Sequence, residues 1–198
     1  MKKVGLYFGT FNPIHVGHLV IANYMANYTD LQEVWLVVSP QNPFKEKDSM
    51  LEDYHRLSLV KIAVEENSQL KASNIEFNLP KPSYTINTLV YLYEKYPTNE
   101  FNLIMGEDNL RTFHKWKNHK QILEKSNLYV YPRLINPDLE EKSNSPLYVH
   151  SKVKICDAPV MKISSSFIRK AIKNNKDVRY MLSEKVAKYV EEMHFYKK

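Results

Sequence analysis

The chain has few glycines, almost no cysteine and no long apolar run, and each shortage narrows what it can be. Cys156 is the only cysteine in 198 residues, so one chain can build neither a disulfide framework nor a thiolate metal site. The longest apolar run, VWLVVS at 34–39, is far below the ~20 residues of a membrane helix. At the N-terminus, MKKVGLYFG is interrupted by Gly5 and has no small-residue cleavage pattern, so it does not read as a signal peptide. These features predict a cytoplasmic protein that meets no membrane. Two phosphate-binding signatures are missing as well: the G-x-G-x-x-G dinucleotide fingerprint and the G-x-x-x-x-G-K-[ST] loop. A nicotinamide-dependent dehydrogenase and a P-loop kinase therefore find no support.

The charge is +6, from 28 basic and 22 acidic residues. The basic residues are scattered, with no run longer than two or three, as on a solvated surface. A nucleic-acid partner is not expected, and the surplus suits a small anionic substrate.

Short β-type runs alternate with helical ones. VGLYF (4–8), VWLVVS (34–39), LKASNI (70–75), FNLIMG (101–106), LYVYPR (128–133) and KVKICD (152–157) read as strands. Helices are expected at about 16–28, 51–66, 85–96, 165–173 and 183–194, with a polar, aromatic stretch up to Lys125 between the fourth and fifth strands. Leu57, Val60 and Val64 recur at helical spacing. The alternation predicts an α/β fold, a Rossmann-like doubly wound parallel sheet with helices on both faces. With no linker, residues 1–198 read as a single domain whose part from about 163 to 196 is helical. Such sheets bind ligands outside the carboxyl ends of their strands.

Three of the four glycines, Gly5, Gly9 and Gly17, fall in the first seventeen residues. GTFNPIHVGH (9–18) follows the first strand and opens the first helix. A glycine-bearing turn into a helix N-terminus presents N–H groups and a favourable dipole to an anion. Gly9 is expected to let the chain turn off the strand, and Gly17 to let the helix start close to a bound group. His15 and His18, three residues apart, share a face of the first turn. A single histidine there would cap or pack; two suggest hydrogen bonds to a polyphosphate. A shared zinc ion is a weaker alternative, because no carboxylate or cysteine lies close by and a helix N-terminus repels cations. Near the other end, ISSSFIR (163–169) places three serines at a helix start, one to cap it, and Arg169 one turn further in. Alone this would be a capped surface helix.

Together, G-T-F-N-P-I-H-V-G-H and I-S-S-S-x-I-R, about 150 residues apart, resemble the (H/T)-x-G-H nucleotidyltransferase family. Within it the similarity is to the bacterial nicotinate mononucleotide adenylyltransferases. KPSYTINTL (81–89), LIMGEDNLRTFHKWKNHKQIL (103–123) and NPFK (42–45) extend it over essentially the whole chain.

The resemblance implies transfer of an adenylyl group from ATP to nicotinate mononucleotide, with loss of pyrophosphate. It implies that His15 and His18 hold the ATP phosphates, with Lys45 reaching in from a loop and Gly9, Thr10 and Phe11 giving backbone contacts. Gly106 and Asp108 would meet the adenosine ribose. Ser164, Ser165 and Arg169 would bind the departing phosphates. Asn12, Thr85 and Trp116 would receive the mononucleotide, with its ring stacked on Trp116. The attacking group is already a phosphate anion, so no general base is needed, and Mg²⁺ would be carried mainly by phosphates and water rather than by protein ligands.

Four positions depart from the family pattern: Phe8 for a glycine, Asn12 and Asn87 for aspartates, and Phe44 for a histidine. Alternatives are a nicotinamide mononucleotide preference, a phosphopantetheine adenylyltransferase, and a tRNA-binding synthetase-like protein. The last would need a K-M-S-K-S-like loop that is absent. A homo-oligomer is left open.

Overall fold

Period-two alternation along the strands divides the interior into two cores. In the computed structural model, which describes residues 1–40, 50–133 and 146–197, strand β1 (Lys2–Gly9) sends Val4 and Leu6 to one face and Tyr7 to the other. Strand β4 (Asn99–Gly106) does the same with Phe101, Leu103 and Met105 against Ile104. In β5 (Leu128–Tyr131), Leu128 and Val130 oppose Tyr129 and Tyr131. Strands buried on both faces are what a parallel sheet covered by helices requires.

With β2 (Glu33–Val38), β3 (Leu70–Ser73) and β6 (Val153–Ile155), these form one six-stranded sheet in the order β3-β2-β1-β4-β5-β6. Every pairing is parallel. One face is covered by α1 (Val16–Tyr28), α2 (Asp53–Val64), α6 (Ser165–Lys173) and α7 (Glu184–Glu192), through Ile21, Met25, Leu57, Val60, Ile168 and Val186. The other is covered by α3 (Thr85–Lys95), α4 (Glu107–Thr112) and α5 (His119–Lys125), through Ile86, Leu89, Leu110 and Ile122, with Phe113 of the 3₁₀ turn after α4. Each such side chain removed from water contributes roughly 1.5–3 kcal/mol. The strand order reverses between β1 and β4, so their carboxyl ends flank the crevice where this architecture binds ligands.

The expected alternation is therefore present, with local differences. The third strand ends at Ser73, and Ile75–Asn78 form a 3₁₀ turn that buries Glu76 against the Thr88 hydroxyl at 2.8 Å. The polar stretch before Lys125 contains α4 and α5, only six and seven residues long. Among the described residues no helix is long and apolar enough to cross a membrane.

Candidate active site

The loop from Thr10 to His15 joins β1 to α1, and side chains from distant parts of the chain hold it by its carbonyls. The Arg56 guanidinium donates to the Thr10 carbonyl at 2.6 Å. Arg169 donates to the Asn12 carbonyl at 2.8 Å, and the Ser165 hydroxyl to the Pro13 carbonyl at 2.9 Å. In a trans peptide the next N–H points opposite to the C=O. Drawing the Thr10 and Pro13 carbonyls toward Arg56 and Ser165 thus turns the Phe11 and Ile14 N–H groups the other way.

Arg56 is the largest fully buried side chain and also donates to the carbonyls of Leu51 at 3.0 Å and Ser39 at 2.9 Å, while pairing with Asp53. Burial lowers its pKa and Asp53 opposes the shift. Four acceptors on one guanidinium satisfy a charge that would otherwise be costly to bury.

The expectation for Gly9 is corrected here. No described glycine has a positive φ; in this loop the left-handed residue is Phe11, at φ 45°. Gly9 and Gly17 are small because neighbouring side chains need the space. A Cβ on Gly9 would stand 2.8 Å from the Phe11 ring, and one on Gly17 would stand 3.1 Å from His15 Nδ1. Gly5 faces Ile104 and Leu31 in the core. Gly9 therefore makes room for the Phe11 ring, while Gly17 leaves room for the His15 ring and itself lines the cleft above this loop.

Those rings build one corner of the site. His15 caps α1 with extended backbone, and its ring stacks on His18 at 3.7 Å. The Nδ1 of His18 accepts the His15 backbone N–H at 3.3 Å, which leaves the proton of the neutral ring on Nε2. Phe11 meets the His18 ring edge-on at 5.1 Å. Burial, and then the nearby Arg133 charge, lower the His15 pKa to about 4, so this imidazole is neutral at neutral pH. Its Nδ1 is buried.

A cleft of about 760 Å³ opens over this corner, and Thr10, Asn12, His15, His18, Ser164, Ser165 and Arg169 line it together. Two motifs about 150 residues apart in sequence thus share one wall. Ser164 caps α6 by accepting the Phe167 N–H at 3.2 Å, and Ser166 accepts from Arg169 at 3.3 Å.

Gly9, Phe11, Gly106, Asp108, Thr85 and Trp116 are not part of that lining. Phe11 is buried beneath it. Gly106 ends β4, and Asp108 pairs with Arg133 at 3.3 Å, which does line the cleft. Thr85 begins α3. Trp116 is half-buried, tilted on Phe113 with centroids 5.4 Å apart. Its neighbour Lys117 places its ammonium 4.5 Å over the Tyr84 ring, which draws the Trp116 segment toward the start of α3. Lys45 and Phe44 lie outside the described residues.

Sequence reasoning missed Arg133, Tyr131, Arg56 and Tyr196. Arg133 donates to the Tyr131 hydroxyl at 2.9 Å, and that hydroxyl lies 3.2 Å from the hydroxyl of Tyr7. Burial works against the Arg133 charge, but Tyr131 and Asp108 outweigh it and raise the pKa. Burial pushes the Tyr7 phenol well above its usual value, reinforced by Tyr131, so Tyr7 remains a neutral hydrogen-bonding group. An arginine two residues beyond the end of a strand, at the ligand-binding edge, was the one available signal.

Among the described residues no three His, Cys, Asp or Glu side chains come together as a metal site. The donor set in the cleft is imidazole, hydroxyl and guanidinium, which does not suit a hard divalent cation held by protein alone.

A parallel sheet reversing at β1/β4, with two phosphate-type motifs on one cleft, defines a nucleotide-binding α/β protein. The chain belongs to the cytidylyltransferase-like family, which matches residues 6–171. Over 99% of its length it is 55% identical to a probable nicotinate-nucleotide adenylyltransferase of Christiangramia forsetii, covering 99% of that protein. It is 42% identical to one so named from Bacteroides thetaiotaomicron, covering 96% of this chain and 91% of that one. The fold is also that of a Plasmodium falciparum nicotinic acid mononucleotide adenylyltransferase complexed with NaAD, at a TM-score of 0.80 and 19% identity, covering 100% and 98% of the two chains.

Proposed function

We infer that the chain transfers the adenylyl group of ATP to nicotinate mononucleotide, giving nicotinate adenine dinucleotide and pyrophosphate. The observation that carries this reading is the junction of the two motifs: Arg169 and Ser165 bind the carbonyls of Asn12 and Pro13 beside the stacked histidines. The high identity to relatives bearing the corresponding name supports the choice of acceptor.

In this reading the mononucleotide's 5′-phosphate oxygen attacks the α-phosphorus of ATP. A new P–O bond forms, the bond to the β-phosphate oxygen breaks, and pyrophosphate leaves with that electron pair. No proton need be removed from the attacker, so the chain's task is positioning and neutralisation. The Nε2–H of His18 donates to an α-phosphate oxygen as charge grows there, aided by the N-terminus of α1. His15, neutral and stacked against it, holds that ring in place and offers its own hydrogen bond to the phosphates. The turned N–H groups of Phe11 and Ile14 add donors. Arg169, Ser164 and Ser165 face the β- and γ-phosphates, with Lys45 as a further cation. Asp108 and Gly106 serve the adenosine ribose, and Thr85, Asn12 and Trp116 the mononucleotide. Mg²⁺ would enter on the triphosphate and neutralise its oxygens.

The test is pyrophosphate release from ATP and Mg²⁺ with nicotinate mononucleotide, nicotinamide mononucleotide and phosphopantetheine in parallel. A large kcat/KM advantage for nicotinate mononucleotide is expected. Equal rates with both mononucleotides would defeat the acid preference, and activity with phosphopantetheine alone would defeat the acceptor class.

A further inference from the structure

The segment after α7 returns to the first motif. His194 and Tyr196 take left-handed backbone conformations, at φ 54° and 63°, and between them the Phe195 ring packs against His55 at 4.7 Å. This winding delivers the Tyr196 hydroxyl to the Oδ1 of Asn12 at 2.7 Å. The same oxygen accepts the Leu51 N–H at 3.2 Å. A backbone N–H can only donate, so the oxygen rather than the amine of the carboxamide faces Leu51, which settles the amide's orientation. Asn12 is buried, and its own carbonyl is the one gripped by Arg169. Burial raises the Tyr196 pKa, and Arg169 and Arg56, the two guanidiniums that clamp the loop at Asn12 and Thr10, lie near enough to oppose the shift. One phenol thus lies at the point where both loop clamps and the Asn12 side chain converge.

We propose that Tyr196 is a positioning residue for adenylyl transfer, acting through Asn12 to hold the Thr10–His15 loop in its reactive arrangement. The proposal rests on the functional reading above. It adds to that reading a residue outside both motifs, 184 positions from its partner. Phe11 explains why a strap is needed. A bulky residue at positive φ carries roughly 1–3 kcal/mol of strain that the surroundings must hold in place, and Asn12 directly follows it.

Tyr196→Phe removes the hydroxyl while keeping the ring and its packing. In steady-state assays with ATP and nicotinate mononucleotide, kcat should fall about 5- to 10-fold, the scale of one lost hydrogen bond. Both KM values should stay within about twofold. Asn12→Ala should also slow the reaction, and adding Tyr196→Phe to it should cost nothing further, because the hydroxyl's hydrogen-bond acceptor is already gone. A wild-type kcat in Tyr196→Phe would overturn the proposal, as would losses that multiply in the double variant. A drop in melting temperature with kcat intact would reduce Tyr196 to a structural role and equally overturn it. If the unaltered protein transfers nothing to nicotinate mononucleotide, the functional reading fails on its own. The strap is then judged by amide exchange at Leu51, whose N–H shares the Asn12 oxygen. Faster exchange in Tyr196→Phe supports the strap, and unchanged protection overturns it.

Discussion

The rings of His15 and His18 stack 3.7 Å apart, and the backbone N–H of His15 donates to Nδ1 of His18. The pair is rigid because the second ring is both a platform for the first and an acceptor for its peptide. With Nδ1 so engaged, the neutral His18 ring carries its proton on Nε2. His18→Ala should lower kcat by roughly 10²-fold or more, the cost of a preorganised donor. Turnover near that of the unaltered protein would remove His18 from the chemistry.

The depressed pKa of His15 ties stability to pH. Burial and then Arg133 lower it from 6.5 to about 4, so between those values the unfolded chain binds a proton that the folded chain does not. Stability therefore falls as pH drops from 6.5 toward 4, by up to about 3 kcal/mol from this residue. His15→Gln should flatten that part of the profile in urea unfolding at pH 7, 5.5 and 4.5. A parallel loss in both proteins would assign the effect to other groups.

Much of this was legible in the chain and some was not, for reasons that differ by residue. The parallel sheet and its two layers of helices follow from apolar runs alternating with helical spacing, and the N-terminus of α1 from a glycine-histidine cluster after a strand. The short helices α4 and α5 went unread because six or seven polar residues show too little periodicity to count. Arg56 and Tyr196 went unread for another reason. A buried arginine on α2 and a tyrosine beyond α7 look ordinary until the fold places them against Thr10 and Asn12. At Gly9 the constraint is real but its cause is the Phe11 ring rather than a backbone turn, since spacing says that room is needed and not which ring takes it.

Trp116 packs one side on Phe113 and stays half-buried beside the start of α3. A flat ligand bound there in ground and transition state alike would be lost from both equally. Trp116→Ala should then raise the KM for nicotinate mononucleotide with little change in kcat. A rise confined to the KM for ATP would move the ring to the adenosine side.

Gly9 and Phe11 form the pair that shapes the loop. Added at Gly9, a Cβ would press on three atoms of the Phe11 ring, the nearest at 2.8 Å. That ring is 1% exposed and touches Tyr7 and His18 edge-on, so it has little freedom to yield. Gly9→Ala should destabilise the protein by about 1–3 kcal/mol, the usual cost of overpacking, and should lower kcat because the displaced ring supports His18. The cause is specific, so the remedy should be as well. Phe11→Leu alone opens space and costs stability, yet combined with Gly9→Ala it should restore most of what the alanine removed. Urea unfolding of the two single variants and the double variant decides this. Additive losses would mean that Gly9 is required by the backbone, and the close approach of the Phe11 ring would then not be its reason for being glycine.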